Sequence, residues 1–203
     1  MFYNFMRCIA ALLLIATRRI RFYGKENIPK DGAVMLVSNH ISAFDPILVG
    51  LATHRQVHFV AKKELFKGKF LNWFMHKMNC IPIDRENLDR AALRDSIFVL
   101  KDGGMLGVFP EGTRGNGKEL LPFKSGVCFI ASQSPCTIVP VGVRYGGHLL
   151  NPFSKPAEVR IGEPFPYEAL EGEKRRDTLN RMLARQEEAV KALAFPETNH
   201  ETL

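Results

Sequence analysis

Short apolar runs of strand length alternate along this chain with segments whose apolar residues recur every three or four positions. No other feature restricts the fold as much. The strand-like runs fall at residues 33–37, 57–61, 81–84, 105–109, 138–144 and 158–161, and helical periodicity occupies 47–53, 64–78, 88–101 and 125–132. A last helix at 173–195 places Leu179, Met182, Leu183, Val190 and Leu193 on one stripe and stops before Pro196. Asn87 is expected to cap the helix at 88–101 and Gly103 to stop it. The order predicts an α/β fold: a single domain with a mostly parallel or mixed sheet flanked by helices. A length of 203 residues suits one such domain, and a hydrophobic content of 46% suffices for its core. Disordered and fibrous classes are excluded, and no internal repeat or linker divides the chain.

Charge narrows the partners. The formal net charge is +7, which suits nucleic acid, an anionic membrane or an anionic small substrate. Within residues 1–30 six basic side chains (Arg7, Arg18, Arg19, Arg21, Lys25, Lys30) stand against Glu26 alone, around the most apolar run of the chain. A second basic stretch, residues 54–77, interleaves Arg55, Lys62, Lys63, Lys67, Lys69 and Lys77 with Leu65, Phe66, Phe70, Trp73 and Phe74. The nine apolar residues 8–16 cover about 14 Å as a helix, half of a bilayer core that takes roughly 20 residues to cross. Phe2, Phe5, Met6, Ile9, Leu12, Leu13, Ala16 and Ile20 share helical spacing, with arginines at the trailing end. Residues 1–22 are therefore expected to form an amphipathic helix lying in one leaflet with its cations toward anionic headgroups, and 23–203 the main domain. The competing reading is a helix docked on the protein's own core.

Cys8, Cys80, Cys128 and Cys136 match no zinc or disulfide spacing, so reduced cytosolic thiols are expected. His54 and His58 lack the glutamate of H-E-x-x-H and straddle a loop and a strand, so no metal site is expected. Together these readings place the chain peripherally or monotopically on the cytoplasmic face of the cell membrane. Nucleic-acid binding ranks last, because no nucleic-acid fold motif accompanies the basic residues.

In parallel sheets, ligands gather beyond the carboxyl ends of the strands. Four successive strand exits here carry Asn39 and His40, then Lys62, then Arg85, then Glu111, Gly112, Thr113 and Arg114. One edge thus receives a base, cations and a carboxylate. Neither helix nor strand brings side chains five residues apart together, so His40 and Asp45 meet only if a turn lies between them. Residues 39–46, Asn-His-Ile-Ser-Ala-Phe-Asp-Pro, supply it, with Asp45 expected as helix N-cap and Pro46 as first helical residue. His40 then serves as general base toward an alcohol while Asp45 fixes its tautomer. No G-x-S-x-G elbow is present, so direct attack by a bound alcohol is preferred over a covalent intermediate; Ser42 is read chiefly as a turn residue.

The N-H-x-x-x-x-D of residues 39–45 and the F-P-E-G-T-R of residues 109–114 together resemble the glycerolipid acyltransferases, specifically bacterial 1-acylglycerol-3-phosphate (lysophosphatidic acid) acyltransferases. A-K-K-E-L at 61–65, I-P-I-D-R at 81–85, F-K-S-G at 123–126 and V-P-V at 139–141 extend the likeness over about residues 25–165. The resemblance implies transfer of a fatty acyl group from a thioester, on acyl carrier protein or coenzyme A, to the sn-2 hydroxyl of lysophosphatidic acid, giving phosphatidic acid with no other cofactor. It implies that His40 and Asp45 are catalytic and that Arg85 and the loop of Glu111, Gly112, Thr113 and Arg114 hold the glycerol phosphate. On physical grounds Arg114 supplies a planar fork for phosphate, Glu111 is expected to orient a glycerol hydroxyl, and Lys62 either meets the oxyanion or the phosphate or is simply a solvated lysine. Where the family often has glycine before the third strand this chain has Asn79, which tolerates a left-handed turn. The rivals are an acyltransferase for another glycerolipid acceptor, a non-catalytic peripheral lipid-binding protein and a thioester hydrolase.

Overall fold

The structure, a computed structural model, describes residues 2–16, 20–84, 87, 89–146 and 155–196. The central strands form where the sequence places apolar runs. They are β2 (Val34–Ser38), β3 (Val57–Lys62), β4 (Cys80–Ile83), β5 (Met105–Val108) and β6 (Thr137–Gly146), with β1 (Ile20–Tyr23), β7 (Lys155–Ile161) and the short β8 (Phe165–Pro166) at the margins. The sheet order is β1-β7-β6-β2-β5-β3-β4, with β8 beside β6. β6, β2, β5, β3 and β4 run parallel and β7 runs antiparallel to β6, so the sheet is mixed, as the alternation predicts.

All five residues of β2 are buried, the continuous apolar pattern of a strand covered on both faces. Its alternate side chains feed two cores. Met35 and Val37 join Leu106, Val108 and Ile138 under α4 (Arg90–Lys101), α5 (Gly126–Ser132) and α6 (Arg175–Ala194). Val34 and Leu36 join Val139, Val141 and Val143 under α2 (Asp45–Leu51). The amino-terminal helix α1 (Phe2–Ala16) lies on that second side. It is held by Tyr3, whose hydroxyl oxygen accepts the Val57 N–H, and by Arg7, which donates to the Thr53 carbonyl.

Several elements depart from expectation for local reasons. The helix read through residue 22 is described to Ala16, residues 17–19 lie outside the described residues, and Ile20–Tyr23 pairs in parallel with β7 instead. The helix read over 64–78 is divided: a 3-10 turn at Lys63–Phe66 is followed by Gly68 at φ +85° and then α3 (Lys69–Lys77). Asp89, not Asn87, caps α4, accepting the Ala92 N–H at 3.0 Å, and the proposed start of that helix at Leu88 lies outside the described residues. Gly103 ends α4 at φ +73°, as expected of a left-handed stop, and Asn79 takes φ +57° before β4. β1 and β8 had no signal strong enough to read, being four and two residues long.

Helix α6 lies flush on β6 because Gly142 has no side chain. A β-carbon there would stand 2.5 Å from the backbone of Leu193 and Ala194. Gly142→Ala is expected to lower stability by about 1–3 kcal/mol through overpacking, a fall of about 2–12 °C in unfolding midpoint. Gly126→Ala, where a methyl meets nothing within 4 Å, is the control and should leave the midpoint level or slightly raised.

Candidate active site

Parallel pairing aligns the carboxyl ends of β2 and β5 side by side, so the loops that leave them must meet. Beyond the last β2 and β6 ladder pair, Ser38 with Val141, the Asn39 side chain takes over from the backbone. Its Oδ1 accepts the Val143 N–H at 2.7 Å and its Nδ2 donates to the Val143 carbonyl at 2.9 Å. The chain then turns. His40 Nδ1 lies 2.8 Å from Asp45 Oδ2, the close approach that a five-residue step demanded of this turn.

Asp45 is fully buried, and a buried carboxylate is tolerable only if its lone pairs are filled. Oδ2 accepts the His40 ring N–H and the backbone N–H groups of Ile41 and Ser42, both at 2.7 Å, and Oδ1 accepts the Tyr145 hydroxyl at 2.7 Å. Asp45 is not the N-cap expected of it. Phe44 holds that position, Asp45 is the first residue of α2, Pro46 follows it, and the carboxylate reaches back over the turn instead of forward onto the helix. Ser42 Oγ accepts the Phe44 N–H at 3.2 Å, the turn role read for it. Because an ionised carboxylate only accepts, Nδ1 of His40 carries the proton, leaving Nε2 as the basic nitrogen. Nε2 has no partner among the described residues, and the side chain keeps 11% exposure.

The imidazole rests on an aromatic stack. His40 and Phe109 are 4.4 Å apart at 27°, and Phe109 lies 5.9 Å from Phe59 at 14°. Gly107 makes this possible, since a β-carbon there would run into the Phe59 ring.

The loop after β5 grips the histidine through backbone. Glu111 Oε1 accepts the His40 N–H at 2.6 Å, Oε2 accepts the Leu121 N–H at 3.0 Å, and Gly115 N–H donates to the His40 carbonyl at 2.7 Å. Glu111 is 4% exposed, and each of its oxygens accepts one backbone donor, so the contacts the structure shows for it are to the two loops. Burial is the main cause holding its carboxyl above the usual range, opposed by those hydrogen bonds. Gly112 adopts φ +71°, and the Lys124 ammonium lies over it, 2.7 Å from where a β-carbon would stand. Thr113 and Arg114 are exposed on the same loop. Lys62, at the end of β3, is half-exposed and stands 3.6 Å from Glu64. Arg85 lies outside the described residues; beside it, Asp84 pairs with Lys63 at 2.5 Å.

An apolar cleft of about 880 Å³ opens between α4 and α5, within the size range of ligand sites. Val60, Leu93, Ile97, Val108, Phe129 and Ile130 line it, and Phe109, Pro110, Gly112 and Lys124 form the part shared with the site loop. Sequence reasoning missed the cleft, the seating of Lys124 and the contact of Tyr145. The alternation of Val139, Val141 and Val143 did carry a signal that Tyr145 faces α2.

Residues 19–144 match the family model described as acyltransferase. The 1-acyl-sn-glycerol-3-phosphate acyltransferase of Bacillus subtilis is 34% identical over 161 residues, covering 77% of this chain and 80% of that protein. The enzyme of the same name from Borreliella burgdorferi is 34% identical over 136 residues, 66% of this chain and 54% of its own length. Among solved structures, the 1-acyl-sn-glycerophosphate (LPA) acyltransferase PlsC of Thermotoga maritima superposes with a TM-score of 0.72 at 27% identity, covering 94% of this chain and 79% of that one.

Glu111→Gln retains shape but offers one acceptor where two are needed, leaving the N–H of His40 or Leu121 unpaired. The expected cost is about 1–3 kcal/mol, read as a lowered denaturant midpoint; an unchanged midpoint would remove Glu111 as the tie between the two loops.

Proposed function

The chain belongs to the acyltransferase family, and from that premise we propose that it transfers a fatty acyl group from an acyl thioester to the sn-2 hydroxyl of lysophosphatidic acid, giving phosphatidic acid. The observation that carries the reading is the His40 and Asp45 pair, with Nδ1 committed to the carboxylate and Nε2 without a partner among the described residues. In this mechanism Nε2 accepts the hydroxyl proton as the oxygen attacks the thioester carbonyl, forming the new C–O bond. Asp45 stabilises the imidazolium so formed. The tetrahedral intermediate collapses with cleavage of the C–S bond, and the imidazolium returns its proton to the departing sulfur. The donor is an acyl carrier protein or coenzyme A thioester, and no further cofactor takes part.

The cleft beside Phe109 supports an acyl chain as ligand, since its wall is aliphatic and aromatic and it reaches the loop that holds His40. Arg114 on the exposed loop and Lys124 on the cleft wall support a phosphate, neither side chain having a hydrogen bond or ion pair among the described residues. Gly112 and Thr113 give that loop its shape and exposure, and Arg85 is proposed as a further phosphate cation on family likeness. Lys62 is proposed to add positive field at the same edge.

The acceptor is a lipid, so the site needs access to a membrane surface. Phe5, Leu12 and Leu13 of α1 are 61%, 70% and 62% exposed, although the helix docks by its other side. Phe2 packs on Trp73 at 5.2 Å and on Phe74 at 6.1 Å, joining α1 to the exposed Phe70 and Leu71 of α3. Lys67, Lys69 and Lys77 flank that patch. One face of the amino-terminal helix docks on the protein's own core, and the other is proposed to lie on anionic lipid. None of the described helices is long and apolar enough to cross a membrane, and a monotopic place on the cytoplasmic face is proposed, with residues 1–22 as the associating segment.

The test offers lysophosphatidic acid with acyl carrier protein and coenzyme A thioesters in parallel. Wild-type protein should form phosphatidic acid with one or both, and His40→Ala should abolish product while still unfolding cooperatively, its midpoint lowered by the donor taken from buried Asp45; full turnover by that variant excludes His40 as base. Arg114→Ala and Lys124→Gln should each raise the acceptor KM about tenfold or more, the loss expected when a charged hydrogen bond to phosphate is removed. Equal effects on donor KM would move the phosphate role elsewhere.

A further inference from the structure

Taking His40 and Asp45 as the pair proposed above, we propose that Tyr145 is the third member of the array, a positioning residue whose phenol fixes the Asp45 carboxylate and tempers the basicity of His40. The strand delivers it there. Val139, Val141 and Val143 point into the core beneath α2, and Tyr145 continues that alternation to pack against the same core. The two bonds from Asn39 to Val143 lock β6 against the end of β2 just before Tyr145. The β6 and β7 register shifts between Arg144 and Gly146, and such irregularities re-aim side chains beside sites. The phenol O–H then donates to Asp45 Oδ1 at 2.7 Å.

This contact differs in kind from the other bonds to Asp45. The N–H groups of Ile41 and Ser42 converge on Oδ2, as does the imidazole. Oδ1 has Tyr145 as its only donor among the described residues, inside a side chain with 0% exposure. A carboxylate held at one oxygen alone can rotate about its Cβ–Cγ bond; held at both, it keeps Oδ2 on Nδ1. Burial and the adjacent Asp45 charge hold the phenol well above its ordinary pKa, so it remains a donor throughout the working range and transfers no proton. The charged and titratable groups that face the pair are His40 and Tyr145 themselves and Glu111, whose field reaches both His40 and Asp45; the Ser42 hydroxyl lies beside them.

The sign follows from the donor. Without the phenol the carboxylate is less stabilised as an anion and binds a proton more readily, and its charge, no longer offset by the O–H dipole, also favours protonated His40 more strongly. Both effects push the acid limb of the kcat/KM profile to higher pH. Tyr145→Phe should show that upward shift, with kcat near neutral pH about tenfold lower, as for loss of one hydrogen bond to a charged group, and KM for donor and acceptor unchanged. Installing 3-fluorotyrosine at position 145, a stronger donor of nearly the same size, should move the limb the opposite way. Adding Tyr145→Phe to Asp45→Asn should cost nothing further, because the phenol acts through the carboxylate. A Tyr145→Phe profile superimposable on the parent's beside an inactive His40→Ala overturns this proposal alone, as does a double variant slower than Asp45→Asn. Full turnover by His40→Ala overturns the pair and this proposal together.

Discussion

A carboxylate without solvent contact is the constraint around which this site is built. Removing one partner of a buried charge pair typically costs about 3–5 kcal/mol, so every donor aimed at Asp45 is held by the fold and not by chance. Two donors come from the turn itself, one from the imidazole and one from a strand a hundred residues onward. The turn cannot relax without unpairing Ile41 and Ser42, and the strand cannot slip without losing Asn39 and Tyr145. Local sequence and long-range topology therefore secure one another at a single side chain.

Glu111 extends the same logic to the second motif. Its placement after β5 suggested a group reaching outward to ligand, yet it reaches inward to two backbone N–H groups. The loop then divides its labour: the motif's glutamate and the Gly115 that follows it clamp the histidine's backbone, while Thr113 and Arg114 face solvent. This explains in physical terms why the two motifs occur as a set, since each loop's conformation is a boundary condition for the other.

Much of this was legible beforehand. The β2, β5 and β6 runs were apparent because parallel strands buried on both faces write continuous apolar stretches, and the His40 to Asp45 turn because no regular element can close a five-residue gap. What stayed hidden was tertiary in origin. β1 is four residues with no pattern of its own and exists because β7 offers an edge. The division of the 64–78 helix depends on one glycine conformation at Gly68. Asp45 read as a helix cap because Asp before Pro usually is one, and the imidazole together with the turn's own N–H groups outcompeted the helix for its oxygens. The cleft arises between two helices whose separation no local pattern encodes.

The column formed by Gly107, Phe59, Phe109 and His40 has a further implication. Its lowest member is an atom's absence in the middle of a strand, three layers below the imidazole. Selection on the speed of this protein can therefore act on a position that meets no ligand, and drift toward a bulkier residue there would be registered as a tilted ring before it was registered as a broken fold. A map of tolerated substitutions should accordingly show a strict site in the sheet interior that distance from the substrate would not foretell.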